Sequence, residues 1–529
     1  MTLLGAVLLL FLMINKNLGQ GIQDKNIHCD ERSPITTMGE EDYEYDDAWN
    51  GKEIRTRQVI VIQGYYCKVR NYEIFSDRDY YVNQSDMVVN LEIEISILNG
   101  LPLKLFGYLT SLERFIVTNT TLQHVDQIEF RKLFLINFSD NHIISLDKNA
   151  FSECPKLIYV NLSYNNIAIL SGPFFDSQQK IGTLDLSYNQ ITDITEETFN
   201  DFHLNFLSLS NNLLEEINLN RFSKLINLRT LDLSGNRLKV LETSGGNFIV
   251  DNLCLDFNEL TSLNLAQSNI RVISSFSNKL QCVVIGINCR SIDFGINEIT
   301  DLSLIDSVDT LNYVNLDFNK LGNNLQDICK CTNLVALFLV SNGIDNLGSC
   351  LSQMVFLDKL SLEGNNIYAI NHDNFPTKNR ITHLDLSFNR LETLDGYAMS
   401  IFSDLRSLCL AGNQIFDFYD NPKELMPQLE RIGLSHNKFK CSKLYILLKK
   451  FKAQNLELYL DDSLPYNTTN IGGIQCFHSH EGELLKNIDS TDILCAIFDD
   501  EFKYLFEKLN KVENEVNKMS SLLKTVQEG

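Results

Sequence analysis

The sequence predicts an α/β repeat solenoid, a fold made by stacking one short coil of chain on the next, and three observations predict it. The frame L-x-x-L-x-L-x-x-N-x-L returns along the chain, as in "LIYVNLSYNNI" (157–167), "LRTLDLSGNRL" (228–238), "LDKLSLEGNNI" (357–367) and "ITHLDLSFNRL" (381–391). The spacing is regular. The second apolar position of the frame falls at Leu91, Phe115, Ile136, Val160, Leu184, Leu207, Leu231, Leu253, Ile273, Ile292, Val314, Leu337, Leu360, Leu384, Leu408 and Ile432, which makes sixteen turns of 19 to 24 residues. Each frame also alternates apolar residues with period two, the mark of a strand with one buried face, and then sets a polar amide at a fixed offset. Self-similarity at such a period means that each coil buries its apolar face only against its neighbours.

The frame is that of the leucine-rich repeat, so the array resembles a horseshoe solenoid with one strand per coil. Each coil turns inward after its strand and buries backbone N–H and C=O groups, and a buried polar group left unpaired costs on the order of 1–3 kcal/mol. The Asn amide, with donors and an acceptor together, is suited to satisfy them along the stack. Ser96 and Thr120 replace Asn in the first two coils, which are expected to be less regular. Phe151, Phe175, Phe199 and Phe222 recur ten residues after the Asn as filler beneath the outer arc. The shorter coils between Leu253 and Ile292 lack that filler, so a thinner outer side and a change of curvature are expected there.

The elements in chain order are these. Residues 1–19 begin with "LLGAVLLLFLMI", an apolar run too short to span a membrane, followed by the small Gly19; this reads as a signal peptide and implies a secreted protein. Residues 20–86 form an N-terminal cap in which Cys29 and Cys67 are expected to pair around a strand-like run. Within it "GEEDYEYDDAW" (39–49) sets six carboxylates around Tyr43 and Tyr45, either a solvated acidic loop or a tyrosine-sulfation site for a basic partner. Residues 87–440 are the repeats. Residues 441–496 resemble the C-terminal cysteine cap of extracellular leucine-rich proteins, with three cysteines where such caps hold four. Pairing Cys441 with Cys476 leaves Cys495 over.

Residues 497–529 carry an apolar heptad seam of Phe498, Phe502, Leu505, Leu509, Val512, Val516, Met519, Leu523 and Val526, which predicts a C-terminal coiled-coil helix. Tyr504, Phe506 and Leu522 widen the stripe, the pattern of an amphipathic helix folded back on the solenoid. An isolated helix of this length is marginal in water, so a partner helix is implied. Among the remaining cysteines, Cys350 is placed to pair with Cys329 or Cys331 on a neighbouring coil, and Cys282 with Cys289. Cys154, Cys254 and Cys409 read as thiols. The thirteen cysteines are an odd number, which in a secreted chain points to a free thiol or an intermolecular bridge.

The formal net charge of −23 argues against nucleic acid as a partner, since phosphate binding needs Lys and Arg to displace counterions. No P-loop, dinucleotide turn, H-E-x-x-H or G-x-S-x-G occurs, and the nine His do not pair with Cys at zinc-ligand spacing, so neither catalysis nor a cofactor or metal is expected. Binding is expected instead on the concave strands. Asp185, Asp232, Asp293 and Asp385 lie between the strand's two apolar positions, and Tyr164, Tyr188, Phe257, Phe318 and Phe388 precede the Asn. Acids interleaved with aromatics suit a protein or basic-peptide ligand, although the same residues also fill the repeat consensus. N-x-S/T acceptors stand at Asn83, Asn119, Asn137, Asn161 and Asn467. Asn119, Asn137 and Asn161 map to three successive concave strands, where sugars would push protein ligands toward later coils.

The ordered set of signal peptide, irregular cap, uninterrupted repeats, cysteine cap and heptad tail without a membrane span resembles the leucine-rich immune molecules of mosquitoes. That resemblance implies a secreted, non-enzymatic immune scaffold of the haemolymph. It implies dimerisation with a like or related leucine-rich chain through cap and coil, with Cys495 and the seam residues as the dimer-forming set. It also implies a thioester-containing, complement-like protein as partner. The tail is only about four heptads. An extracellular adhesion or matrix protein, or a soluble Toll-like decoy ectodomain, is the alternative from a different class.

Overall fold

The computed structural model describes residues 88–101, 109–175, 180–195, 198–199, 203–242, 248–286, 288–304, 309–459 and 469–477, together with the strand backbones at 40–45, 53–60, 66–70, 73–74 and 81–82. The signal peptide, the side chains of Cys29, Cys67, Tyr43 and Tyr45, Asn83, Asn467, Cys495 and the whole heptad tail lie outside the described residues. The chain divides into two compact units, centred on Asp24–Asn297 and on Val308–Gly529.

In the first unit the repeat frame becomes a row of parallel strands. The central apolar residues stand side by side in register from Cys67 through Leu91, Phe115, Ile136, Val160, Leu184, Leu207, Leu231, Leu253 and Ile273 to Ile292. From Leu91 onward they are 3 % exposed or less, so period-two alternation turns every such residue inward. The second unit repeats the arrangement from Val314 through Leu337, Leu360, Leu384, Leu408 and Ile432 to Leu458. Leu458 belongs to the strand Glu457–Tyr459, which the C-terminal cap adds beyond the last repeat.

The amide explains why the coils stack. Asn165 donates through Nδ2 to Leu162 O (3.0 Å) and Ser163 O (3.1 Å) of its own turn and to Phe138 O of the coil before (2.9 Å). Its Oδ1 accepts the N–H of Ile143 in that same preceding coil (2.9 Å). Asn189, Asn212, Asn236, Asn258, Asn297, Asn365, Asn389, Asn413 and Asn437 repeat this set, each nearly excluded from water. At the start of the series Thr120 meets Asn141 Oδ1 with both its N–H (2.9 Å) and its hydroxyl. In the coil before it, Ser96 Oγ donates to Glu94 O (2.8 Å) within its own strand end.

The chain enters the Asn turn through a left-handed residue. Tyr164, Tyr188, Asn211, Phe257, Phe318, Ser341, Phe388 and His436 have φ between 53° and 56°. Such a conformation strains an L-residue by about 1 kcal/mol or more. The three or four hydrogen bonds of the following Asn hold it. Gly412 takes the same position at φ 68°, where a Cβ would come within 2.4 Å of the Phe388 ring.

On the outer arcs of the first unit, Phe151 stacks on Phe175 (centroids 5.5 Å apart) and Phe199 lies against Phe222 (5.4 Å). The outer arcs carry short parallel strands in filler-bearing coils, as where Ser145–Leu146 pairs with His124–Val125, and also in the shorter coils, where Ser262–Asn264 pairs with Cys282–Ile285. The expected Cys282–Cys289 bridge is absent there. Cys282 sits exposed on that outer strand, while Cys289 is buried with Sγ against Arg271 O and Ser291 O (3.8 and 3.6 Å), so nearness in sequence does not bring the sulfurs together. In the second unit short helices Ile328–Lys330 and Cys350–Gln353 form two adjoining arcs, joined by the disulfide Cys329–Cys350; Cys331 stays a buried thiol. The helix Cys441–Ala453 covers the last coil with Leu444, Leu447 and Phe451, and the disulfide Cys441–Cys476 ties its first residue to the following segment.

Replacing one rung of the amide series tests the account. Asn365→Ala leaves Leu339 O, Leu362 O and the N–H of Ile344 without their partner. Denaturant unfolding should show a loss on the order of 3 kcal/mol, well above that of a typical surface substitution.

Candidate functional site

A strand three residues long turns two side chains away from the core, one on each side of its central residue; several of these, such as Asn315, Asp385 and Ser407, are buried among their neighbours on the sheet, and the sequence of types along the stack sets the chemistry of that face. After the central residue stand Asn137, Asn161, Asp185, Asp232, Asp293, Asn315 and Asp385. Each accepts, through Oδ1, the N–H of the residue two further on, at 3.1, 2.8, 2.9, 3.0, 3.3, 2.9 and 2.8 Å respectively. These side chains therefore close the turn that follows the strand, the role for which Asp and Asn are suited. For the Asp residues this structural task accompanies any ligand contact. For Asn137 and Asn161 it is compatible with glycosylation, because a glycan attaches at Nδ2 and the turn uses Oδ1. Asn119 stands elsewhere: it is exposed in the turn after the strand Arg114–Thr118, at φ 52°.

The aromatics expected on the strands also prove to be turn residues. Tyr188, Phe257, Phe318 and Phe388, like Tyr164, occupy the left-handed position one residue before the Asn, at the edge of the sheet rather than on its face. Tyr164 and Tyr188 stack there with centroids 4.2 Å apart and remain half-exposed, and Phe388 is 50 % exposed. The aromatic edge is accessible but belongs to a different surface from the carboxylates.

The position before the central residue, which the sequence reading passed over, carries the more distinctive chemistry in the second unit. Tyr313, Ala336, Lys359, His383, Ser407, Arg431 and Glu457 lie in register on successive strands. Tyr313 packs against Phe338 (5.4 Å), and the Arg431 guanidinium donates to the Tyr459 hydroxyl (3.2 Å), which in turn meets Ser407 Oγ (3.3 Å). Burial holds the His383 imidazole below its ordinary range, and the cation of Lys359 adds to that. Beside this row, burial raises Glu363 to about 8, with the Asp385 charge adding to it, and burial raises Asp385 to about 6. In the first unit burial likewise raises Asp185 and Asp232. Glu92 is pushed to about 7, by burial first and then by Glu94.

This arrangement presents cations, carboxyls and aromatic rings on rigid strands, a surface chemistry suited to another protein. Among the described residues no helix is long and apolar enough to cross a membrane.

The Glu363–Asp385 pair makes the second unit's stability depend on pH. Both carboxyls bind their proton more tightly folded than unfolded, where they titrate near 4. The stabilisation is complete below that pH and is lost as pH rises through about 6 to 8. Glu363→Gln should raise the melting temperature at pH 8, by about 1 kcal/mol in stability after solvent screening, and give no gain at pH 4.

Comparison with known proteins agrees with this geometry. The leucine rich repeat family model matches residues 179–238 and 355–415. No curated protein matches the chain significantly. Among solved structures, a leucine-rich-repeat protein of Leptospira interrogans is 20% identical with a TM-score of 0.51, over 70% of this chain and 90% of that one. The APL1 leucine-rich repeat domain is 18% identical with a TM-score of 0.51, over 78% of this chain and all of that one (100%). The LRIM1/APL1C complex gives 17% identity and a TM-score of 0.50 over 93% of this chain and 79% of that one. The chain has the leucine-rich-repeat solenoid fold.

Proposed function

We propose that this protein is a secreted innate-immune scaffold that dimerises through its C-terminal cap and coil and binds a complement-like thioester protein. The observation that carries the dimer is the disulfide Cys441–Cys476. It consumes the other two cap cysteines and leaves Cys495, directly ahead of an apolar heptad seam, available to a second chain. The seam from Phe498 to Val526 needs a partner helix to bury its stripe, and the fold likeness to the LRIM1/APL1C complex, itself an assembly of two proteins, supports a leucine-rich chain as that partner. The mixed polar and aromatic strand face of the second unit suits a large protein ligand, and sugars on Asn119, Asn137 and Asn161 would leave that face uncovered. Extracellular location follows from the apolar start of the chain and fits its disulfides.

Non-reducing electrophoresis of the secreted protein tests the first half. The wild type should run as a covalent dimer, alone or with a related chain, and Cys495→Ser should run as a monomer. Affinity capture from haemolymph followed by mass spectrometry tests the second half. A thioester-containing protein should be recovered with the wild type, and its absence alongside intact dimers would leave the scaffold without the proposed ligand.

A further inference from the structure

The outer face of the first unit brings together three potential metal ligands that are separated in sequence. His124 and Asp126 sit two residues apart on and just after the strand His124–Val125, so their side chains share a face. The strand Ser145–Leu146 of the next coil pairs with it in parallel, placing Ser145 beside His124; the next N–H, that of Asp147, donates to Val125 O (2.9 Å). Asp147 thereby lies alongside Asp126. Like charges opposed on neighbouring strands are unfavourable unless a cation sits between them.

The ligand atoms converge. His124 Nε2 is 3.0 Å from Asp147 Oδ1 and 3.9 Å from Asp126 Oδ1, and one donor atom from each of the three residues lies within 4.8 Å of the others. A tetrahedral ion with bonds of about 2.0–2.1 Å holds its ligands about 3.3 Å apart, a separation these distances bracket. The supporting contacts are those that a metal-ligating imidazole and carboxylate use. His124 Nδ1 is hydrogen-bonded to Ser145 Oγ (2.7 Å), which fixes the ring with Nε2 toward the carboxylates, and Asp147 Oδ2 accepts the N–H of Gln127 (3.3 Å). The three side chains are 36 to 47 % exposed, so an ion can enter without opening the fold.

We propose that His124, Asp126 and Asp147 form a binding site for a divalent transition-metal ion of the zinc class, which staples two successive coils together on the outer face. One imidazole and two carboxylates make a borderline donor set that suits zinc and leaves a fourth position for water. The site differs from the Cys/His patterns that sequence spacing can reveal, because its third ligand comes from the following repeat.

Titration calorimetry of the full secreted chain, stripped with chelator and titrated with zinc chloride, tests the site. The wild type should take up one zinc equivalent that His124→Ala loses, or binds roughly tenfold or more weakly. His142→Ala, an exposed histidine outside the cluster, should retain it. Zinc should also raise the melting temperature of the wild type but not of His124→Ala. Asp126→Asn, which keeps the His124–Asp147 contact, provides the same comparison should His124→Ala fold poorly. Identical zinc isotherms for wild type, His124→Ala and Asp126→Asn would overturn the proposal and leave the cluster as a polar contact between His124 and the two aspartates.

Discussion

The buried side-chain amide at the end of each strand is the constraint on which the remainder depends. A coil of about two dozen residues cannot close without turning its backbone away from solvent, and each turn strands carbonyls and an N–H in the interior. Asn resolves this with one side chain whose donors reach two coils and whose acceptor takes an N–H from the preceding one. The left-handed residue before it is held in place by those same bonds. Strand register and the inward direction of the leucines then follow.

The fold was legible because one residue type per coil has one geometric task, repeated at a period that can be read by eye. Leu184, Asn189 and their equivalents mark strand, core and turn without any knowledge of three dimensions. What the frame did not disclose is backbone torsion. Tyr188 and Phe388 looked like strand residues alternating outward, but the positive φ that the following Asn imposes moves them to the sheet edge. The cysteines show a related limit. Cys282 and Cys289 are close along the chain yet face different surroundings, whereas Cys329 and Cys350 are separated by 21 residues and meet because nearly one period divides them.

The candidate binding face was legible only in part. Attention to the residue after the central leucine found Asp185, Asp232, Asp293 and Asp385, whose carboxylates prove to be occupied in closing turns. The residue before it, read down the stack as Tyr313, Lys359, His383 and Arg431, carries side chains with no such turn-closing task. Reading a solenoid by columns rather than by rows would have found it, since residues a period apart are neighbours in space. The same reading joins Asp126 to Asp147.

The amide bonds described above run within one coil and to the one before it, so this series does not by itself measure total length. Gain or loss of a whole period leaves every surviving rung with an equivalent neighbour, whereas a deletion of half a period interrupts the series at one point. Insertions and deletions in the gene are thus filtered by phase rather than by size, and lineages can lengthen or shorten the platform while its chemistry of assembly stays constant.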